Sequence, residues 1–184
     1  MRAVPVLRTA RTRIRLAQAS DASKLLHFRV DNAAHFAPWE PLRDVGYYTL
    51  EHAARTIEQG REAAQSDRGY PFVVLDADEA AIIASFTFSG VMRGPFQACF
   101  LGYGLAAGGQ GSGLMQEALQ AGLGWAFGQA GLHRVMANYM PRNERSARLL
   151  ERLGFEREGY ARDYLQIAGC WEDHVLTAKI HSAD

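Results

Sequence analysis

The stretch from Ala98 to Phe155 reads ACFLGYGLAAGGQGSGLMQEALQAGLGWAFGQAGLHRVMANYMPRNERSARLLERLGF. A mostly apolar run ends in a glycine-dense loop. An apolar-periodic helix follows, then a short strand, then a second helix. A glycine-rich loop that feeds a helix N-terminus is a ready anion site, because free backbone N–H groups and the positive end of the helix dipole point the same way. The rest of the chain reads as a frame that holds this loop and presents something to it.

The 184 residues suit one domain, 1–184, with a sizeable core. The apolar set makes up 48 % and the charged set 22 %, a globular balance that argues against disorder. Twenty basic residues offset twenty acidic ones, so net charge implies no polyanion partner and no direct contact with nucleic acid. Cys99 and Cys170 form no CxxC pattern and read as reduced core thiols of a cytoplasmic protein. The N-terminal MRAVPVLRTARTR has no apolar stretch long enough for a signal peptide, and no run approaches the roughly 18 apolar residues of a membrane span.

Outward from the central stretch, Thr12 to Leu16 alternates and predicts a first strand. Ser20-Asp21 marks the start of a helix that turns Leu25, Leu26 and Phe28 to the core and ends near Asp31-Asn32. Prolines flank Trp39-Glu40, so HFAPWEPLRD is a loop or broken helix. Thr49 opens a second helix with Leu50, Ala53, Ala54 and Ile57 at helical spacing. Tyr70 to Leu75 and Ala81 to Phe88 form a hairpin around DADE. Phe86, Phe88, Phe96 and Phe100 alternate as core positions. Near the C-terminus, Tyr160 to Ile167 and Trp171 to Ile180 read as two strands around Ala168-Gly169. The order β-α-α-β-β-β-α-β-α-β-β defines a mixed α/β or α+β sheet.

Three phosphate or nucleophile motifs fail on the loop. No Gly-Lys dipeptide exists, which excludes a Walker A loop. Gly102-x-Gly104-x-x-Ala107 matches a dinucleotide fingerprint only loosely: more loop follows it, and no acid occurs from Gly122 to Gly131. A nucleophile elbow at Ser112 would need glycine where Gln110 stands. His133 and His174 have no partner at zinc spacing and read as structural, and no metal ligand set is expected.

A fourth pattern fits. Gln110-Gly111-Ser112-Gly113-Leu114-Met115 resembles the Q/R-x-x-G-x-G/A signature of the GCN5-related N-acetyltransferase (GNAT) superfamily, with Met115 in place of the last Gly or Ala. APWEP, FSGVMRG, CFLGYG, QGSGLMQEAL, HRVMANYMP, RLGFEREGYARDYL and WEDHVLTA, read in order, resemble its RimJ/RimL branch, the ribosomal-protein N-terminal acetyltransferases. The likeness runs from about residue 10 to 180. It implies a central, mostly antiparallel sheet of about seven strands, splayed between the fourth and fifth, with about four flanking helices.

The resemblance also implies acetyl-CoA as donor. Its pyrophosphate would lie on the backbone of Gln110, Gly111, Ser112, Gly113, Leu114 and Met115, where a Cβ at the glycines would block close approach. Tyr103-Gly104-Leu105 matches the segment that pairs with the pantetheine arm, and the Leu105 N–H the oxyanion donor. Asn143 matches a cofactor-arm ligand and also reads as a helix N-cap. The tyrosine many relatives use as general acid is replaced by Leu150. Ser146 matches a hydroxyl that serves this role in part of the branch. Trp39 and Glu40 would line the acceptor mouth, with Glu40 and Asp163 as candidate bases.

The weak basic provision can be weighed. At pH 7 an α-amine of pKa about 7.8 is roughly 15 % neutral, against about one lysine in 2,500, a gap of about 3.5 kcal/mol. A site without a strong base therefore suits an N-terminal amine. The acceptor implied is the N-terminal alanine of a small-subunit ribosomal protein, for a cytoplasmic monomer or homodimer. Two alternatives stay open: the same chemistry on a small-molecule or antibiotic amine, and a non-catalytic acyl-CoA-binding assembly factor.

Overall fold

A computed structural model of the chain describes residues 4–181. One mixed sheet of eight strands runs through it. The strands are β1 (Leu7–Arg8), β2 (Arg13–Leu16), β3 (Gly69–Leu75), β4 (Ile82–Met92), β5 (Ala98–Leu105), β6 (Arg134–Met136), β7 (Glu156–Ile167) and β8 (Cys170–Ile180), in the spatial order β1-β2-β3-β4-β5-β6-β8-β7. The helices are α1 (Ala22–Asp31), α2 (Ala33–Phe36), α3 (Leu50–Gln65), α4 (Leu114–Gly128) and α5 (Glu144–Arg152). The expected order holds. The additional strand, β1, is two residues long, and the additional helix, α2, is one turn; both are too short to leave a periodic signal.

Strand alternation builds two cores. On one face Phe72, Val74, Phe86 and Phe88 pack against Met115, Leu119, Leu123 and Trp125 of α4 and Leu149 and Leu150 of α5. Phe72 stacks on Phe86 at 5.1 Å, and Trp125 meets Phe72 edge-on at the same distance. Each such side chain contributes roughly 1.5–3 kcal/mol by leaving water. On the other face Val73, Leu75 and Ile82 pack against Leu25 and Phe28 of α1 and Ala53 and Ile57 of α3. Thr49 caps α3 by accepting from the His52 N–H at 3.2 Å, as its position predicts. Leu50 and Ala54 point outward instead, since Leu50 is the first residue of the helix and Ala54 sits one step off the buried stripe.

Two expectations about the core need correction. Phe96 lies in the loop between β4 and β5, and Phe100 points to the face of β5 away from the buried Cys99 and Leu101, so both are exposed while Phe86 and Phe88 are buried. Cys99 is a buried core thiol, whereas Cys170 opens β8 at the tip of the β7–β8 hairpin and is exposed.

Candidate active site

Six of the seven strand pairings are antiparallel; the exception decides the site. β5 and β6 run parallel and touch only at Ala98–Arg134, Cys99–Val135 and Phe100–Met136. Beyond Met136 the chain turns away to β8, where Ala137 donates to Thr177 O and Tyr139 bridges Val175. Leu101 to Leu105 thus lose their neighbour on that side, and a V opens between β5 and the segment 137–139. The expected splay lies here.

Hydrogen-bond parity shows which groups of β5 face the gap. Ala106 N donates to Ile83 O at 2.9 Å, and the register places Gly104 opposite Ser85. In an antiparallel ladder the pairs alternate. The amides of Gly102 and Gly104 therefore face β4, and those of Leu101, Tyr103 and Leu105 face the V. The gap widens into a cleft of about 1280 Å³ that reaches the α4 N-terminus on one face of the sheet and α1, α3 and the β7–β8 hairpin on the other.

The glycine loop ends in α4. Gly111 (φ 74°) and Gly113 (φ 76°) both hold left-handed backbone, the latter as helix N-cap. Residues with a Cβ rarely adopt that region. No atom lies within 4 Å of a Cβ built at Gly111, so the glycine serves open space beside the loop rather than internal packing. The first bond from the helix back to its cap runs from Glu117 N to Gly113 O at 3.1 Å. The amides of Leu114, Met115 and Gln116 precede it and have no acceptor in the helix. Met115 turns its side chain into the core, which removes the objection its size raises in the motif. Arg11 fastens the loop from outside, donating to Ser112 O at 3.0 Å and forming a forked pair with Glu117. Gln110 bridges His35 of α2 and Arg145 of α5 across the cleft.

α5 supplies the other wall. The Asn143 side chain caps it, accepting from Ser146 N at 3.1 Å, and both residues line the cleft. The Tyr103 hydroxyl sits 2.5 Å from Ser146 Oγ. Burial pushes the Tyr103 phenol up to about 12, against a smaller opposing effect of the Ser146 hydrogen bond. Among the described residues no group of three or more His, Cys, Asp or Glu could hold a metal ion.

On the acceptor side Trp39 and Glu40 line the cleft and Asp163 does not. Trp39 closes a 3-10 turn (Ala37–Trp39), half-buried in the cleft wall, with the Arg142 guanidinium 5.0 Å above its ring. Glu40 also lines the cleft, but its carboxylate pairs with Arg43 at 3.1 Å and its carbonyl accepts from Ala168 N, so it ties the loop to the hairpin. Asp163 lies exposed on a bulge of β7 and is not among the cleft-lining residues. Tyr103's hydroxyl, as distinct from its backbone, is a contact that spacing could not supply: residues 103 and 146 meet only through the fold.

A parallel strand pair that splays over a glycine-loop helix N-terminus is the architecture of an acyl-CoA N-acyltransferase. The family profile described as acetyltransferase (GNAT) domain matches residues 11–156, and the chain belongs to this family of N-acetyltransferases. It is 44 % identical over 172 residues to the [ribosomal protein uS5]-alanine N-acetyltransferase of Escherichia coli (strain K12), covering 94 % of this chain and 89 % of that one. The crystal structure of a ribosomal-protein-S5-alanine acetyltransferase from Vibrio fischeri superimposes with a TM-score of 0.92 at 40 % identity, covering 96 % of each chain. Mycobacterium smegmatis RimJ in complex with CoA-disulfide gives 0.87 at 28 % identity, covering 96 % of this chain and 86 % of that one.

Proposed function

We propose that the chain transfers the acetyl group of acetyl-CoA to the N-terminal alanine of a small-subunit ribosomal protein, by direct attack of the α-amine on the thioester. The 44 % identity over 94 % of the chain to an enzyme named for uS5 alanine carries the choice of acceptor. That acceptor implies a cytoplasmic location.

In this reading the pyrophosphate rests on the amides from Gln110 to Met115, and the pantetheine arm adds to the free edge of β5 through Tyr103 and Leu105, alongside Gly104. The Leu105 N–H, facing the V, stabilises the oxyanion as the tetrahedral intermediate forms. Asn143, while capping α5, borders the arm. Ser146 protonates the departing thiolate; a thiol of pKa about 8.5 needs little help, so an alcohol suffices. Trp39 and Glu40 shape the mouth that receives the acceptor. Glu40, bound to Arg43, holds that mouth together rather than taking a proton. No acyl-enzyme is required.

Mass spectrometry of protein N-termini from cells with and without the gene tests the acceptor. The proposal predicts that one small-subunit ribosomal protein loses its N-terminal acetyl group when the gene is removed. Unchanged ribosomal N-termini would contradict it.

A further inference from the structure

The mechanism so far lacks a group to receive the amine's proton, and the structure holds one that the sequence reads as structural. His174, on β8, is 4 % exposed and lines the cleft. Its Nδ1 lies 3.0 Å from Glu172 O. A carbonyl oxygen only accepts, so Nδ1 carries the hydrogen and the neutral ring keeps its lone pair on Nε2. Among the described residues Nε2 has no hydrogen-bond partner, yet no side-chain nitrogen or oxygen there is both buried and unsatisfied. Nε2 therefore opens onto the cleft space that His174 lines.

The face of the sheet matters as much as the atom. Tyr139 opposes Val175 and Met136 opposes Ala178, so His174 shares a face with Asn138 and Met136. Phe100 opposes Met136 across β5 and β6, whereas Tyr103, three residues on, reaches Ser146 from the opposite face. Ser146 thus stands on the α4–α5 face and His174 on the α1–α3 face, with the splay between them. A thioester threaded through the V would meet an acid on one side and a lone pair on the other.

The groups around His174 are already engaged. Glu172 pairs with Arg142 at 3.0 Å. Asp173 accepts from the Tyr160 hydroxyl and from Asp163 N. The Tyr164 ring lies 5.3 Å from the imidazole, with its hydroxyl accepting from Asn138 at 3.1 Å. The Glu172 carbonyl and the Tyr164 ring hold the imidazole, and among the described residues Nε2 is left without a hydrogen-bond partner on the cleft side.

We propose that His174 is the general base of the reaction, taking the proton of the attacking amine on Nε2, directly or through one water. The inference rests on the acetyl-transfer reading above. The amine lone pair forms the N–C bond, and its surplus proton passes to Nε2. The C–S bond then breaks, the thiolate leaves with a proton from Ser146, and water restores that proton and removes the one on the imidazolium. General-base catalysis of this kind is worth about a hundredfold or more.

The test compares the full-length parent chain with H174N, whose amide keeps a donor for Glu172 O and removes Nε2. The assay follows CoA release with a peptide of free N-terminal alanine from pH 6 to 9, and acetyl-CoA affinity is measured alongside. The expected result is acetyl-CoA affinity within about twofold of the parent and kcat/KM about a hundredfold lower at pH 7. The deficit should narrow towards pH 9, where the amine arrives neutral, and added imidazole should restore part of the rate. Turnover by H174N within about threefold of the parent at pH 7 would overturn the inference, as would a deficit that neither pH nor imidazole moves. H174Q gives a second reading, and loss of acetyl-CoA binding in both variants would overturn it by making the residue structural. Inactivity of the parent on the peptide would contradict the acceptor reading and the inference together, whereas an active parent beside an equally active H174N contradicts the inference alone.

Discussion

The Tyr103 hydroxyl lies 2.5 Å from Ser146 Oγ, joining the free edge of β5 to the first turn of α5. The phenol, held protonated up to about 12 by burial, is the natural donor, and Ser146 the acceptor. Ser146 then keeps its own proton for the thiolate. Tyr103 cannot supply that proton itself, because passing it to a thiolate of pKa about 8.5 is uphill by several kcal/mol. S146A should therefore slow turnover about tenfold to a hundredfold. Y103F should cost about threefold to tenfold in kcat, with no new limb in the pH profile below pH 10, since it loses only the orienting bond. Steady-state kinetics on both variants check this; a Y103F loss larger than that of S146A would show that the phenol acts on its own.

Acetyl-CoA should stabilise the fold. At a hundred times its dissociation constant it would add about 2.7 kcal/mol and raise Tm by several degrees. NAD and ATP, for which the loop carries no motif, should do far less. Thermal scans with the three ligands decide between them.

Gly111→Val should weaken acetyl-CoA binding more than folding. The backbone there is left-handed and the space beside it is open, so the folding cost is the strain alone, about 1–2 kcal/mol. The new branch stands where a phosphate must approach. Calorimetric titration with acetyl-CoA should show at least a tenfold loss; unchanged affinity would move the phosphate site elsewhere.

Asp21 is a buried carboxylate whose burial would raise its pKa. The Arg15 hydrogen bond at 2.6 Å, the Gln18 N–H and the Arg15 and Lys24 charges outweigh that and hold it below the usual range. A depressed folded-state value means stability that is present above the unfolded pKa of about 3.9 and is lost as pH falls through the folded one. Asp21→Asn should cost about 3 kcal/mol at pH 7, because it leaves the buried Arg15 charge with only the more exposed Glu79 carboxylate as partner. The gap between variant and parent should close below about pH 4, as chemical denaturation at several pH values would show.

Much of this was legible in the chain. Element order, the α3 cap at Thr49 and the glycine loop followed from local periodicity and cap chemistry, because each is set by neighbours in sequence, whereas the splay followed from the family resemblance alone. What failed to show is long-range. Cys170 and Phe100 look apolar enough for the core, but only the fold reveals that one sits at a hairpin tip and the other on the face of β5 away from Cys99 and Leu101. Glu40 reads as a free carboxylate until Arg43 is seen on it. His174 lies in WEDHVLTA but has no metal-ligand spacing or base signature of its own; its donor-fixed ring and open Nε2 emerge only once β8 is laid beside β6 and β7.

The central claim is transfer to an N-terminal amine, and one competition measures it most directly. Two peptides of the same sequence, one with a free N-terminal alanine and one N-blocked but carrying lysine, are offered with acetyl-CoA at pH 7. The account predicts acetylation of the first and little of the second, with the ratio narrowing towards pH 10 as lysine deprotonates unaided. Preferential acetylation of lysine at pH 7 would contradict it.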